Sequence, residues 1–281
     1  ELNHATQGAM DCLEPVTFWE NTAVFVEMAA FPESASNNRW FSYYFQIDPQ
    51  LSISEGQSPY WYGGYIWPTF LANTYGEGPE DVPFVREIWE LSMQESGDNS
   101  PHYMQAISEK LSQYGATLND AFHRFIFPVP PVVTNFEIDY PQSFEPAEAS
   151  TPKPFGVNYY LLRKPDGYSR ETRISLRSDD LESLWALQVV PLSTQTSASL
   201  VEGSGAGISV EYDPSETGDA LLVVEHLGGD DFSPVRVPAR GTAYSLNIEP
   251  SVPLPVLTMA SPKAIRQGET MTLTIYGSGL N

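Results

Sequence analysis

Two short stretches near the start of the chain carry side chains able to share a metal ion. Glu1 and His4 stand three residues apart, so on a helix they lie on one face. Further on, Glu20 and Glu27 stand seven apart and again share a helical face. A catalytic zinc site takes imidazole nitrogen and carboxylate oxygen from three protein groups and leaves a fourth position to water. Two helices in contact would bring His4 and Glu20 within reach of one ion. Each stretch also has a plainer reading. E-x-x-H is a common tetrapeptide. Thr17 followed by Glu20 has the spacing of a capping box, in which Glu20 would cap its own helix and bind no metal.

The conjunction of the two stretches points further. Glu1-Leu2-Asn3-His4 resembles the last four residues of an H-E-x-x-H helix whose first histidine would fall just before residue 1. The run Trp19-Glu20-Asn21-Thr22-Ala23-Val24-Phe25-Val26-Glu27 is similar to the second motif of gluzincin metallopeptidases, of the type N-E-G-F-A-x-Y-V-E. Glu20, Ala23, Phe25, Val26 and Glu27 fall on matching positions, while Trp19 and Asn21 depart from the motif's Asn and Gly. The resemblance covers roughly residues 1–128 and extends to bacterial secreted metallopeptidases that carry β-sandwich modules after the catalytic domain.

What the resemblance implies is a secreted or cell-surface zinc peptidase acting on peptide or protein. His4 and Glu20 would be zinc ligands, Glu1 the general base, and Glu27 a support behind the ligands. The chemistry would be metal-assisted hydrolysis, with Glu1 taking the proton of the zinc-bound water and passing it to the leaving amine. Tyr62 or Tyr65 could donate to the oxyanion. With one histidine missing from the motif, residues 1–281 alone are expected to bind zinc poorly and to be inactive. The rival expectations are a non-catalytic surface or adhesion protein with a degenerate zincin part, and a zinc hydrolase acting on something other than peptides.

The bulk properties narrow the field. A net charge of −22 over 281 residues argues against nucleic acid, whose phosphates call for Lys and Arg, and against anionic membrane surfaces. No apolar run has the length of a membrane span. The single cysteine, Cys12, rules out a disulfide within the chain and is expected to be buried filler. His102, His123 and His226 are expected to be structural. Asp219, Asp230 and Asp231 lack the regular spacing of a calcium loop and read as solvated turns.

Around these residues the pattern is helical as far as residue 128 and strand-like beyond it. Helices are expected from Thr17 to Phe31, from Tyr60 to Tyr75 with a kink or split at Pro68, from Val82 to Met93, from Pro101 to Tyr114 and from Leu118 to Phe127. After Pro128-Val129-Pro130-Pro131, a stiff linker, short β-branched runs at 158–162, 172–176, 184–190, 207–212 and 220–225 alternate with Gly, Pro, Ser and Asp turns. That spacing predicts a β-sandwich. The last 30 or so residues, with Ser261-Pro262 to Gly279, resemble the opening strands of an IPT/TIG immunoglobulin-like module. The expected fold class is multidomain α plus all-β. It places a helical zincin portion at 1–128, a β-sandwich at 132–250 and a truncated immunoglobulin-like module at 253–281, with both chain ends falling inside elements.

Overall fold

The computed structural model describes residues 2–33, 47–93, 99–126, 136–139, 142–164, 171–193, 199–228, 232–251, 256–261 and 274–278. Glu1, the aromatic stretch 40–45, the proline linker at 128–131 and the aspartates at 230 and 231 lie outside them.

Helices come first: α1 (Leu2–Met10), α2 (Val16–Ala30), α3 (Tyr60–Gly63), α4 (Ile66–Tyr75), α5 (Val82–Ser92), α6 (Tyr103–Ser112) and α7 (Leu118–Ile126). Pro68 does accompany a split between 60 and 75, but the break falls earlier, at Gly64-Tyr65. Pro68 is then in the first turn of α4, where its missing N–H has no intrahelical partner to lose. Asp81 caps α5 by accepting from Phe84 N at 3.1 Å. His102 caps α6, accepting from Gln105 N while Gln105 Oε1 accepts from His102 N. Cys12 is exposed, contrary to expectation. It lies in the turn between α1 and α2, whose backbone is folded by Asp11 accepting from Leu13 N, and the core is formed by the helices on either side.

A β-sandwich follows. One sheet has the order β1 (Phe136–Asp139), β3 (Gly156–Arg163), β8 (Ala220–Leu227), β5 (Leu184–Pro191), β6 (Ser199–Ser204). The other runs β2 (Gln142–Phe144), β9 (Tyr244–Pro250), β4 (Thr172–Ser178), β7 (Ile208–Tyr212). Neighbouring strands are antiparallel, except for β1 and β3, which run parallel. A short helix, α8 (Pro214–Thr217), joins β7 to β8. A separate hairpin of β10 (Val256–Ser261) and β11 (Thr274–Ser278) lies in the segment that resembles the immunoglobulin-like module.

Burial distinguishes the two sheets. In β4 and β7 buried and exposed residues alternate, as befits a sheet with one wet face. In β3, β5 and β8 burial is nearly continuous. Their alternate residues serve two cores. Tyr160, Leu162, Trp185, Leu187, Leu222 and Val224 pack between the sheets. Val157, Tyr159, Ala186, Val190, Val223 and Leu227 instead join the helical core of Phe18, Phe25, Trp67, Trp89, Tyr103 and Phe122. The helical layer and the five-stranded sheet therefore share one core. Loop 47–55 ties them further, through Ile53 N donating to Phe155 O, Val157 N to Pro49 O, and a buried ion pair of Lys153 with Glu55 at 2.5 Å.

Candidate metal centre

The site is built across the facing sides of α1 and α2. The two helices contact each other closely because Gly8 has no side chain: a Cβ there would stand 3.2 Å from the Trp19 ring. Trp19 in turn lies beside His4, ring centroids 5.8 Å apart. This contact brings His4 Nε2 to 3.6 Å from Glu20 Oε2, with both side chains about a quarter exposed (28% and 24%). Two ligands held 2.0–2.2 Å from one tetrahedral zinc stand about 3.4 Å from each other. The 3.6 Å separation of the pair is close to that value.

Thr17 settles the plainer reading of Glu20. Its hydroxyl donates to the carbonyls of Ser54 and Glu55, and the cap position of α2 belongs to Pro15, which makes no side-chain cap bond. Glu20 lies one turn inside the helix and is not its cap. Glu27, on the same helix, is exposed.

Behind His4 lies a chain of polar groups that sequence reasoning missed. His4 Nδ1 is 2.6 Å from Gln7 Oε1. Gln7 Nε2 donates to Trp19 O at 3.0 Å and to Thr22 Oγ1 at 2.8 Å. Thr22 Oγ1 donates to Phe18 O at 2.6 Å and accepts from Trp89 Nε1 at 3.2 Å. Spacing could have found Gln7, three residues after His4, and Thr22, two after Glu20. Nothing in the sequence links either to Trp89.

Of the two tyrosines proposed as oxyanion donors, Tyr65 is buried and Tyr62 half-buried. They flank Gly63-Gly64, a turn pressed against Asn21, the neighbour of Glu20: a Cβ on Gly64 would lie 3.4 Å from Asn21 Cβ. Burial pushes the Tyr65 phenol up from its ordinary value, so it keeps its proton. Among the described residues no group of three His, Cys, Asp or Glu side chains is arranged to hold a metal ion. Glu1, the remaining residue of the first motif, is outside that set.

The other histidines and acidic groups make polar contacts of their own. His123, on α7, sits between Glu225 of β8 and Glu202 of β6, at 2.5 and 3.0 Å. Asp219 accepts from Arg163 and from Lys164 N at the sandwich surface. Burial pulls the His226 imidazole down to about 4, and its Nδ1 donates to Pro152 O. No helix among the described residues is long and apolar enough to cross a membrane.

Comparison with protein-family models and with curated proteins finds no match. Among solved structures, the chain is similar to the pre-peptidase C-terminal domain of a collagenase from Bacillus anthracis, at 14% identity and a TM-score of 0.28, over 40% of this chain and 92% of that one. It is also similar to PliG, a periplasmic inhibitor of g-type lysozyme from Aeromonas hydrophila, at 11% identity and 0.28, over 41% and 95%. A third likeness is to CorA, a surface-associated copper-binding protein of Methylomicrobium album BG8, at 8% identity and 0.27, over 41% and 97%. At these TM-scores the likenesses carry no argument about what this chain does.

Proposed function

We propose that His4 and Glu20 are two of the protein ligands of a zinc ion in a secreted or cell-surface metallopeptidase of which this chain is part. The observation that supports this reading is the approach of His4 Nε2 to Glu20 Oε2 at 3.6 Å, between two helices. Both groups are partly exposed, so a substrate can reach them.

When bound, zinc supplies a water of lowered pKa and polarises the scissile carbonyl. The chain's own residues have three tasks. His4 of α1 and Glu20 of α2 would hold the ion. Glu1 has the general base's position in the motif; it would take a proton from water and deliver it to the leaving amine. Tyr62 or Tyr65, flanking the turn that packs on Asn21, would donate a hydrogen bond to the oxyanion. The β-sandwich serves as a platform joined to the helical part through their common core.

The test uses the full-length protein. Zinc content and cleavage of a peptide library are measured with and without chelator, beside Glu1→Gln and Glu20→Gln. The proposal expects cleavage that depends on zinc and is lost in both variants. A residue other than histidine immediately before Glu1, or cleavage indifferent to chelation, would sink it. A folded protein without zinc or cleavage would instead support a non-catalytic surface protein.

A further inference from the structure

We infer that Gln7 is a positioning residue that selects the imidazole tautomer of His4, and that Thr22 and Trp89 lock Gln7 in the orientation that does so. The consequence for metal binding rests on the zinc reading above, but the tautomer itself does not.

The argument follows from which groups can only donate and which can only accept. The Trp89 indole N–H is a donor, and the Phe18 and Trp19 carbonyls are acceptors. Thr22 Oγ1 receives the indole proton, so its own hydrogen goes to Phe18 O. Its remaining lone pair accepts from Gln7. The side chain of Gln7 is thereby oriented: its nitrogen faces Trp19 O and Thr22 Oγ1, spending both amide hydrogens. Its oxygen must then face His4, and across 2.6 Å His4 Nδ1 must be the donor. A neutral imidazole with its proton on Nδ1 has its lone pair on Nε2, and Nε2 is the atom that points at Glu20. Gln7 and Thr22 are 3% and 1% exposed, so water does not replace either partner. A ligating histidine held by such an outer partner is oriented and fixed in tautomer before the metal arrives.

The test reads the tautomer directly. Chain 1–281, labelled with ¹⁵N and free of metal, is examined by long-range ¹H–¹⁵N correlation at alkaline pH. The His4 signal is assigned by its loss in His4→Asn. The wild type is expected to show a protonated Nδ1 and a bare Nε2. Gln7→Met, of similar shape but without hydrogen bonds, is expected to move His4 to the Nε2–H form. Thr22→Val is expected to do so in part, and Thr22→Ser to restore the wild-type signal. Unchanged signals of His102, His123 and His226 report that each variant is folded. On adding zinc chloride to the full-length protein, the affinity read from His4 is expected to fall about 10–100-fold in Gln7→Met. A wild-type His4 protonated at Nε2, or a tautomer unmoved in folded Gln7→Met, overturns the inference. A wild-type His4 with the expected tautomer supports it whether or not chain 1–281 responds to zinc; the same tautomer with no response to zinc in the full-length protein sinks the zinc reading instead.

Discussion

The indole nitrogen of Trp89 donates to the hydroxyl of Thr22 at 3.2 Å, across 67 residues of chain. Trp89 is held in place by an aromatic pile: its ring stacks on Phe18 at 4.3 Å, and Phe18 stacks on Tyr103 at 4.4 Å. The candidate site is therefore anchored in the centre of the helical core and not only in the two helices that carry His4 and Glu20. Trp89→Phe keeps the stack and removes the donor, leaving a Thr22 lone pair buried. The expected cost is about 1–2 kcal/mol, read from denaturant midpoints. Thr22→Val on top of it should cost less than it does alone. Strict additivity of the two would show that the bond contributes nothing.

Glu14 offers a stabilising substitution. Burial, aided by the nearby charge of Asp11, pushes its carboxyl up from 4.5 to about 8. Below pH 4.5 the folded and unfolded chains both hold the proton. Between the two values the unfolded chain releases it and the folded chain does not, so stability falls as pH rises, by up to roughly 1.4 kcal/mol per pH unit. Above about 8 the loss is complete. Glu14→Gln should match the wild type near pH 4 and melt progressively higher than it toward pH 8. A difference that does not depend on pH would refute the assignment.

His226 acts on the acid side. Its ring stacks on Trp185 at 4.6 Å, and burial lowers its pKa from 6.5 to about 4. The stability tied to the neutral ring is fully present above 6.5 and is lost as pH falls through about 4. His226→Phe retains a stacking ring and abolishes the titration. Its melting temperature should therefore fall less steeply than the wild type's between pH 6.5 and 4, whatever the offset between the two curves at neutral pH.

The opposite sign is expected at His123. Burial lowers this imidazole, but the hydrogen bonds and charges of Glu225 and Glu202 outweigh it, and the net shift is upward. Its contribution is complete below 6.5 and is lost as pH rises through the raised value. Glu225, fully buried, also accepts from Gln188. Glu225→Leu alone should cost about 3–5 kcal/mol, because it strands a buried partner. His123→Leu combined with Glu225→Leu should recover much of that loss. A double variant as unstable as the sum of the two singles would argue against coupling between the helical layer and the sheet.

Much of this protein was legible in its sequence. Helices at 82–93, 101–114 and 118–127 and strands at 158–162, 172–176, 184–190, 207–212 and 220–225 lie within one or two residues of, or inside, the observed elements, because their apolar period and their Pro, Gly and Asp boundaries are local properties. β9 and β6 escaped notice. The alternation of β9 runs into the proline-rich stretch after it, and half-exposed β6 reads as polar loop. The residues of the candidate site were also legible, since His4 and Glu20 each belong to a short motif.

What the sequence by itself determined is thus a set of elements and a list of chemical groups. Only the tertiary structure decided that Gly8 lets Trp19 close over α1, that His4 meets Glu20 at 3.6 Å, and that Thr17 binds loop carbonyls and not its own helix end. It also decided the partners of Gln7, Thr22 and Trp89, and of His123 with Glu225. Those contacts join residues tens of positions apart, and a hydrogen bond leaves no mark on the local periodicity of either partner. They follow from how helices and sheet stack to bury one common core, which is a property of the whole chain.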